Sequence, residues 1–166
     1  VLVGMMNEQP RDEERTLAGI AHLLIFASIF GVLISLVIWW RERERSRYAA
    51  FHAAQAMLYQ LAVYVLGFVL AFAVISVIWL PYLWFGPPLP DVSPEGEVFG
   101  PARIFGVVLL LTATFTAIAF SLLVSLGAMA YAIYGAMQCF RGRPFRYLVV
   151  AALAERLVPA APRSGE

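Results

Sequence analysis

The sequence predicts an all-α integral membrane protein, a small bundle of about three transmembrane helices with a Pro-rich outer loop and a short interfacial C-terminal helix. Three observations lead there. The 166 residues are 61% hydrophobic, against roughly half in an ordinary soluble domain. The charged residues are sorted to the edges of long uncharged runs, the pattern a bilayer imposes. The net charge is only +1, which gives no general nucleic-acid signature. The mean hydropathy of +0.78 agrees with the first of these, and the length suits a single membrane domain over residues 1–166.

The first apolar run covers residues 17–40, LAGIAHLLIFASIFGVLISLVIWW. As one helix it reaches about 36 Å, enough for a hydrocarbon core of about 30 Å. Its acidic flank (Asp12, Glu13, Glu14) and its length exclude a cleavable signal peptide. Trp39 and Trp40 stand where indoles favour the interface. The second run, residues 56–80, closes at Pro81. Residues 81–103 follow, PYLWFGPPLPDVSPEGEVFGPAR, and their prolines and glycines mark a loop. The third run, 104–138, carries no charge and reads as one long tilted helix of about 52 Å. In the tail, 141–166, the segment 147–157 is too short to span and reads as an interfacial helix.

Arginine placement sets the orientation. With three spans, the loop at 41–47 and the tail share nine arginines, while the N-terminus and the 81–103 loop share three. The positive side stays cytoplasmic. The expectation is a multi-pass protein of the bacterial inner membrane with its N-terminus outside and its C-terminus in the cytoplasm.

Polar residues at the start of the second run are candidates for function. In YAAFHAAQAMLYQ, residues 48–60, His52, Gln55 and Tyr59 fall on one helical face, with Gln60 a little round from them. This stripe supports three readings: hydrogen-bonded glue between helices, a polar vestibule for a substrate or peptide, or a metal site. Metal ligation is not expected. His52 has no HxxxH partner, and His22, the other histidine, lies near the opposite membrane surface if 17–40 spans. Cys139 is the single cysteine and reads as a buried or interfacial free thiol. No cofactor is implied.

In RERERSR, residues 41–47, helical spacing pairs Arg41 with Glu44 and Glu42 with Arg45. Arg41, Arg43, Arg45 and Arg47, with Arg141, Arg143 and Arg146 of the tail, are candidates for contact with lipid headgroups or an acidic partner. Small residues at four-residue spacing mark packing faces: Ala27, Gly31 and Ser35 on the first helix, and Ala128, Ala132 and Ala136 on the third. Thr112, Thr116, Ser121 and Ser125 are expected to bond back to the preceding helical turn. No nucleophile–base pair, zinc motif or phosphate loop is present, and no run contains Asp, Glu, Lys or Arg. Both absences argue against an enzyme or a charge-coupled pump.

Three segments carry a resemblance: EERTLAGIAHL at 13–23, YAAFHAAQAMLYQ at 48–60 and YGAMQCFRGRPFRYLVV at 134–150. Together they resemble a bacterial integral-membrane family grouped with the Tic-type protein-import component of the chloroplast inner envelope. The chain departs from that family in its longer, proline-richer 81–103 loop, in Leu148 where a proline follows the tyrosine, and in room for about three spans rather than four. The resemblance implies a non-enzymatic membrane protein that binds or guides polypeptides. A small accessory or scaffold subunit of a larger membrane complex is the alternative. Either way the partners are membrane lipids and other membrane proteins or a second copy, not nucleic acid.

Overall fold

The structure is a computed structural model that describes residues 10–80 and 101–158. The expected Pro-rich loop therefore lies almost wholly outside the described residues. Among those described, five α-helices form: α1 Asp12–Leu23, α2 Ile29–Glu42, α3 Arg47–Val74, α4 Pro101–Phe140 and α5 Ala151–Leu157. A 3-10 turn, Leu24–Ala27, follows α1, and a π-helical turn, Ile75–Trp79, extends α3. Two helical stretches are long and apolar enough to cross a membrane, Arg47–Val77 and Ile104–Phe140. Three were expected, and the run that fails is the first.

Residues 17–40 do not form one rod. The backbone breaks at Ser28, which sits at φ 56° and ψ −140°. A serine at positive φ costs about 1–3 kcal/mol, so packing must hold it there. Two contacts show how. A Cβ at Gly31 would collide with the Leu24 carbonyl oxygen, so only glycine admits this approach. Ser35 Oγ donates to the Ala21 carbonyl at 3.4 Å. The contacting pairs thus move apart in sequence, 24 with 31 and then 21 with 35, which is the signature of an antiparallel hairpin. Its arms of 12 and 14 residues reach about 18 and 21 Å, too short to cross about 30 Å of hydrocarbon. Ala21 lies in the last turn of α1, where carbonyls lose their helical partners. Gln60 Nε2 of α3 reaches the same oxygen at 3.1 Å, so two side chains finish the broken helix end.

The chain divides into two compact units, one of residues 1–64 with 126–166 and the other of residues 65–125. In the first, α4 ends in a Schellman cap: Gly142 N donates to Cys139 O and Arg143 N to Gln138 O, both at 2.9 Å, with Gly142 left-handed at φ 68°. Pro144 follows, where a helix cannot resume. The chain then runs back extended, so Phe145 and Tyr147 are buried and Arg146 is exposed. Of the segment 147–157, expected to be helical, Ala151–Leu157 forms α5. Ala151, Ala154 and Val158 pack on Ala50, Phe51 and Ala54 of α3.

The second unit is built differently. Its helical stretches expose large apolar side chains, among them Phe68, Phe72, Phe105, Phe115 and Leu123. Three of the four hydroxyls expected to bond back to their own helix do so: Thr112 donates to Val108 O, Thr116 to Thr112 O and Ser121 to Ala117 O. The third apolar run is one continuous helix, as its pattern predicts.

Arg15, near the start of α1, sits against Gly142 at the head of the tail, with the guanidinium Nε 2.9 Å from where a Cβ would stand. Phe140 likewise covers Gly19. The start of α1 and the tail therefore lie at one end of this unit.

Candidate functional site

The hairpin brings together side chains that a straight first span would hold apart. His22, on α1, is buried, and its Nε2 lies 3.4 Å from Nδ1 of His52 on α3. The expectation that the two histidines stand at opposite membrane surfaces is overturned by the break at Ser28. Cys139, on the last turn of α4, is buried as expected for its thiol and places Sγ 3.3 Å from the same His52 Nδ1. Tyr147 Oη is 3.1 Å from His22 Nδ1. Burial first, then the neighbouring Tyr59 phenol, push the Tyr147 phenol well above its usual range, so it stays a neutral hydroxyl. One potential ligand atom from each of His22, His52 and Cys139 lies within 4.8 Å of the others.

The predicted polar stripe points three ways. His52 meets α1 and the end of α4. Gln55 serves the tail: its Nε2 donates to Phe145 O and its Oε1 accepts from Tyr147 N, both at 3.2 Å. An amide so placed stands in for a neighbouring strand. Tyr59 Oη donates to Ala128 O at 3.0 Å, while its ring stacks on Tyr147 with centroids 4.0 Å apart. Gln60 turns to the hairpin, with Ser35 Oγ at 3.5 Å beside the Ala21 carbonyl. His52, Gln55 and Gln60 are all buried.

Small residues make the close approaches possible. Ala132 and Ala136 are buried on α4, and Gly135 between them takes the Phe145 ring, 2.7 Å from where a Cβ would stand. Ala128 is half-buried. The stripe expected on the first helix is split, since Ala27 lies in the 3-10 turn before the break and Gly31 and Ser35 after it. The break puts Gly31 against Leu24 of the 3-10 turn and Ser35 against Ala21 of α1, instead of on a common face with Ala27.

The arginines do not follow helical spacing across 41–47. α2 ends at Glu42 and α3 begins at Arg47, so the pairs are between neighbours, Arg41 with Glu42 at 3.7 Å and Arg43 with Glu44 at 3.5 Å. The expected pairs of Arg41 with Glu44 and Glu42 with Arg45 need a continuous helix. Arg43 also covers the Trp40 ring at 4.0 Å. Arg45 is exposed and Arg47 half-buried at the start of α3. In the tail, Arg141 and Arg143 are exposed, and Arg146 pairs with Glu155 of α5.

The elements that build this cluster, from the start of α1 to α5, coincide with the reach of one family model. Residues 13–154 match MamF/MmsF, the magnetosome magnetite crystal formation protein family. The chain belongs to this family. No curated protein and no solved structure matches it. The MamF/MmsF match supports the bacterial membrane family expected from the three motifs and gives no support to the Tic-type grouping. The motif EERTLAGIAHL opens the matched region, and the other two supply His52, Gln55, Cys139 and Tyr147. In this MamF/MmsF member, then, the motif residues are largely those that join α1, α3 and the tail. Sequence reasoning missed the meeting of His22 with His52 and Cys139. The signal for it was a histidine, two glycines and two serines inside one apolar run.

Proposed function

We propose that this MamF/MmsF member is a non-enzymatic integral membrane protein that acts as an accessory component in magnetite crystal formation. The observation that carries the reading is the family match across residues 13–154, nearly the whole described chain. Two further features favour a membrane-embedded scaffold. The spanning-length helices expose their large apolar side chains, which suits lipid or other membrane proteins, a second copy included. The buried polar side chains bond within the chain, as helix-joining groups do. Nucleic acid is no partner in this reading.

The hairpin favours one orientation in a bacterial inner membrane. If residues 12–42 enter and leave on one side and each long helix crosses once, the N-terminus, the 41–47 turn and the tail share eleven of the twelve arginines, leaving Arg103 alone across the bilayer. The arginine-rich side is then cytoplasmic, and Arg41, Arg43, Arg45, Arg141 and Arg143 are placed to meet anionic headgroups.

The test is complementation. In a magnetite-forming bacterium stripped of its own members of this family, expression of this chain should restore crystal dimensions measured by electron microscopy. Crystals that keep the deletion size while the protein is present in the membrane would overturn the reading. Guidance of polypeptides, implied by the Tic-type resemblance, needs the His52–Gln55–Tyr59 face to line an open path. The bonds from Gln55 to the tail and from Tyr59 to α4 count against it.

A further inference from the structure

His52 Nδ1 carries a contradiction that protons alone do not resolve. A ring nitrogen has one in-plane direction, holding either a lone pair or an N–H. Two partners converge on it, His22 Nε2 at 3.4 Å and Cys139 Sγ at 3.3 Å. If His22 donates, the thiol has no acceptor left there; if His52 donates, it serves one neighbour well and not both. A metal ion at the point of convergence satisfies all three atoms at once.

The spacing fits such an ion. Tetrahedral zinc with N at about 2.0–2.1 Å and S at about 2.3 Å sets its ligand atoms about 3.3 Å apart for two nitrogens and about 3.6 Å for nitrogen and sulfur. Two edges of the triangle have those lengths within a few tenths of an ångström, and all three atoms fall within 4.8 Å. The outer shell is also in place. Ligating histidines donate their other ring nitrogen to an oxygen that fixes tautomer and ring orientation, and Tyr147 Oη stands 3.1 Å from His22 Nδ1. With that N–H directed to the phenol, Nε2 presents its lone pair to the convergence point.

We propose that His22 Nε2, His52 Nδ1 and Cys139 Sγ form a binding site for a zinc-class divalent transition metal, with one coordination position left for a further ligand. The donor set chooses the class. Imidazole suits zinc, copper, iron and nickel, and thiolate favours zinc and copper(I), while the absence of carboxylate from the triad disfavours magnesium and calcium. Three protein ligands rather than four is the arrangement of sites that take an exchangeable fourth ligand. This goes beyond the crystal-formation reading and does not rest on it.

The experiment is titration of the full chain, purified in mild detergent and stripped with chelator, with cobalt(II) alone. The site predicts one equivalent bound, the visible bands of tetrahedral cobalt, and a sulfur-to-cobalt charge-transfer band in the near ultraviolet. Cys139→Ser should remove that band, and His52→Gln should weaken binding at least tenfold. Tyr147→Phe removes no ligand and should weaken binding about ten- to a hundredfold through His22 orientation. Circular dichroism of each metal-free variant, unchanged from the parent, establishes that the fold is intact. Absence of saturable one-to-one binding in the parent overturns the site. So does a cobalt spectrum that Cys139→Ser leaves unaltered.

Discussion

The two ends of α3 share a helix but not a way of being held. From Ala49 to Ala56 every residue is buried, and Gln60 with them. From Val65 onward the large side chains, Phe68 and Phe72 among them, are exposed. The first stretch sets His52 and Gln55 among alanines, so neighbouring backbones come close and the polar groups bond across the gap. The second carries bulky apolar groups that find few partners in its own unit and suit lipid. Hydropathy alone rates both as apolar. What separates them is side-chain size and the presence of hydrogen-bonding atoms, which decide whether a membrane helix packs on protein or on lipid.

The contrast can be broken most sharply at Gly31. Gly31→Leu drives a side chain into the Leu24 carbonyl, and overpacking against backbone should cost about 3 kcal/mol or more. Leu33→Ala, at an exposed position of the same helix, should cost far less. Thermal unfolding in detergent measures both, and equal losses would place the Gly31 face against lipid.

Next in size is Gln55→Leu. It strips the Phe145 carbonyl and the Tyr147 amide of their partner, which should cost about 1–3 kcal/mol. The loss should appear locally, as faster hydrogen exchange at the Tyr147 amide with little change in the second unit.

Ser28→Gly tests the hairpin by sign. At φ 56° glycine relieves strain, and the protein should gain about 0.5–1 kcal/mol. In the interior of a straight helix the same change would lose up to about 0.5 kcal/mol. Chemical denaturation reads the direction. The smallest effect belongs to the second unit, where Phe115→Ala, at an exposed position, should stay within about 0.5 kcal/mol.

Much of this was legible in the sequence, and the exceptions share a cause. The two long helices, the absence of an interruption in α4 and the short helix of the tail follow from run length and charge placement. The cap at Gly142 was not expected, although a glycine and then a proline stand beyond the last helical turn. Residues 17–40 were misread because hydropathy sums over a window and is blind to direction. A turn at Ser28 costs nothing on that scale, since serine and glycine are common in spanning helices. The same error hid the His22–His52–Cys139 cluster, because a straight first span puts His22 at the wrong surface. The polar stripe was readable as one face from its spacing, but its three separate destinations were not. They depend on which neighbour each residue meets: the hairpin, the tail or α4.

Everything peculiar to the first unit depends on the chain folding back at Ser28, and topology tests that most directly. Single cysteines introduced as Asp12→Cys, Arg45→Cys, Arg143→Cys and Ser93→Cys, with buried Cys139 left in place, are labelled by an impermeant thiol reagent in sealed vesicles of known orientation. The hairpin predicts that positions 12, 45 and 143 label from one face and position 93 from the other. Labelling of position 12 together with 93, opposite 45 and 143, would restore a straight first span and contradict the fold-back.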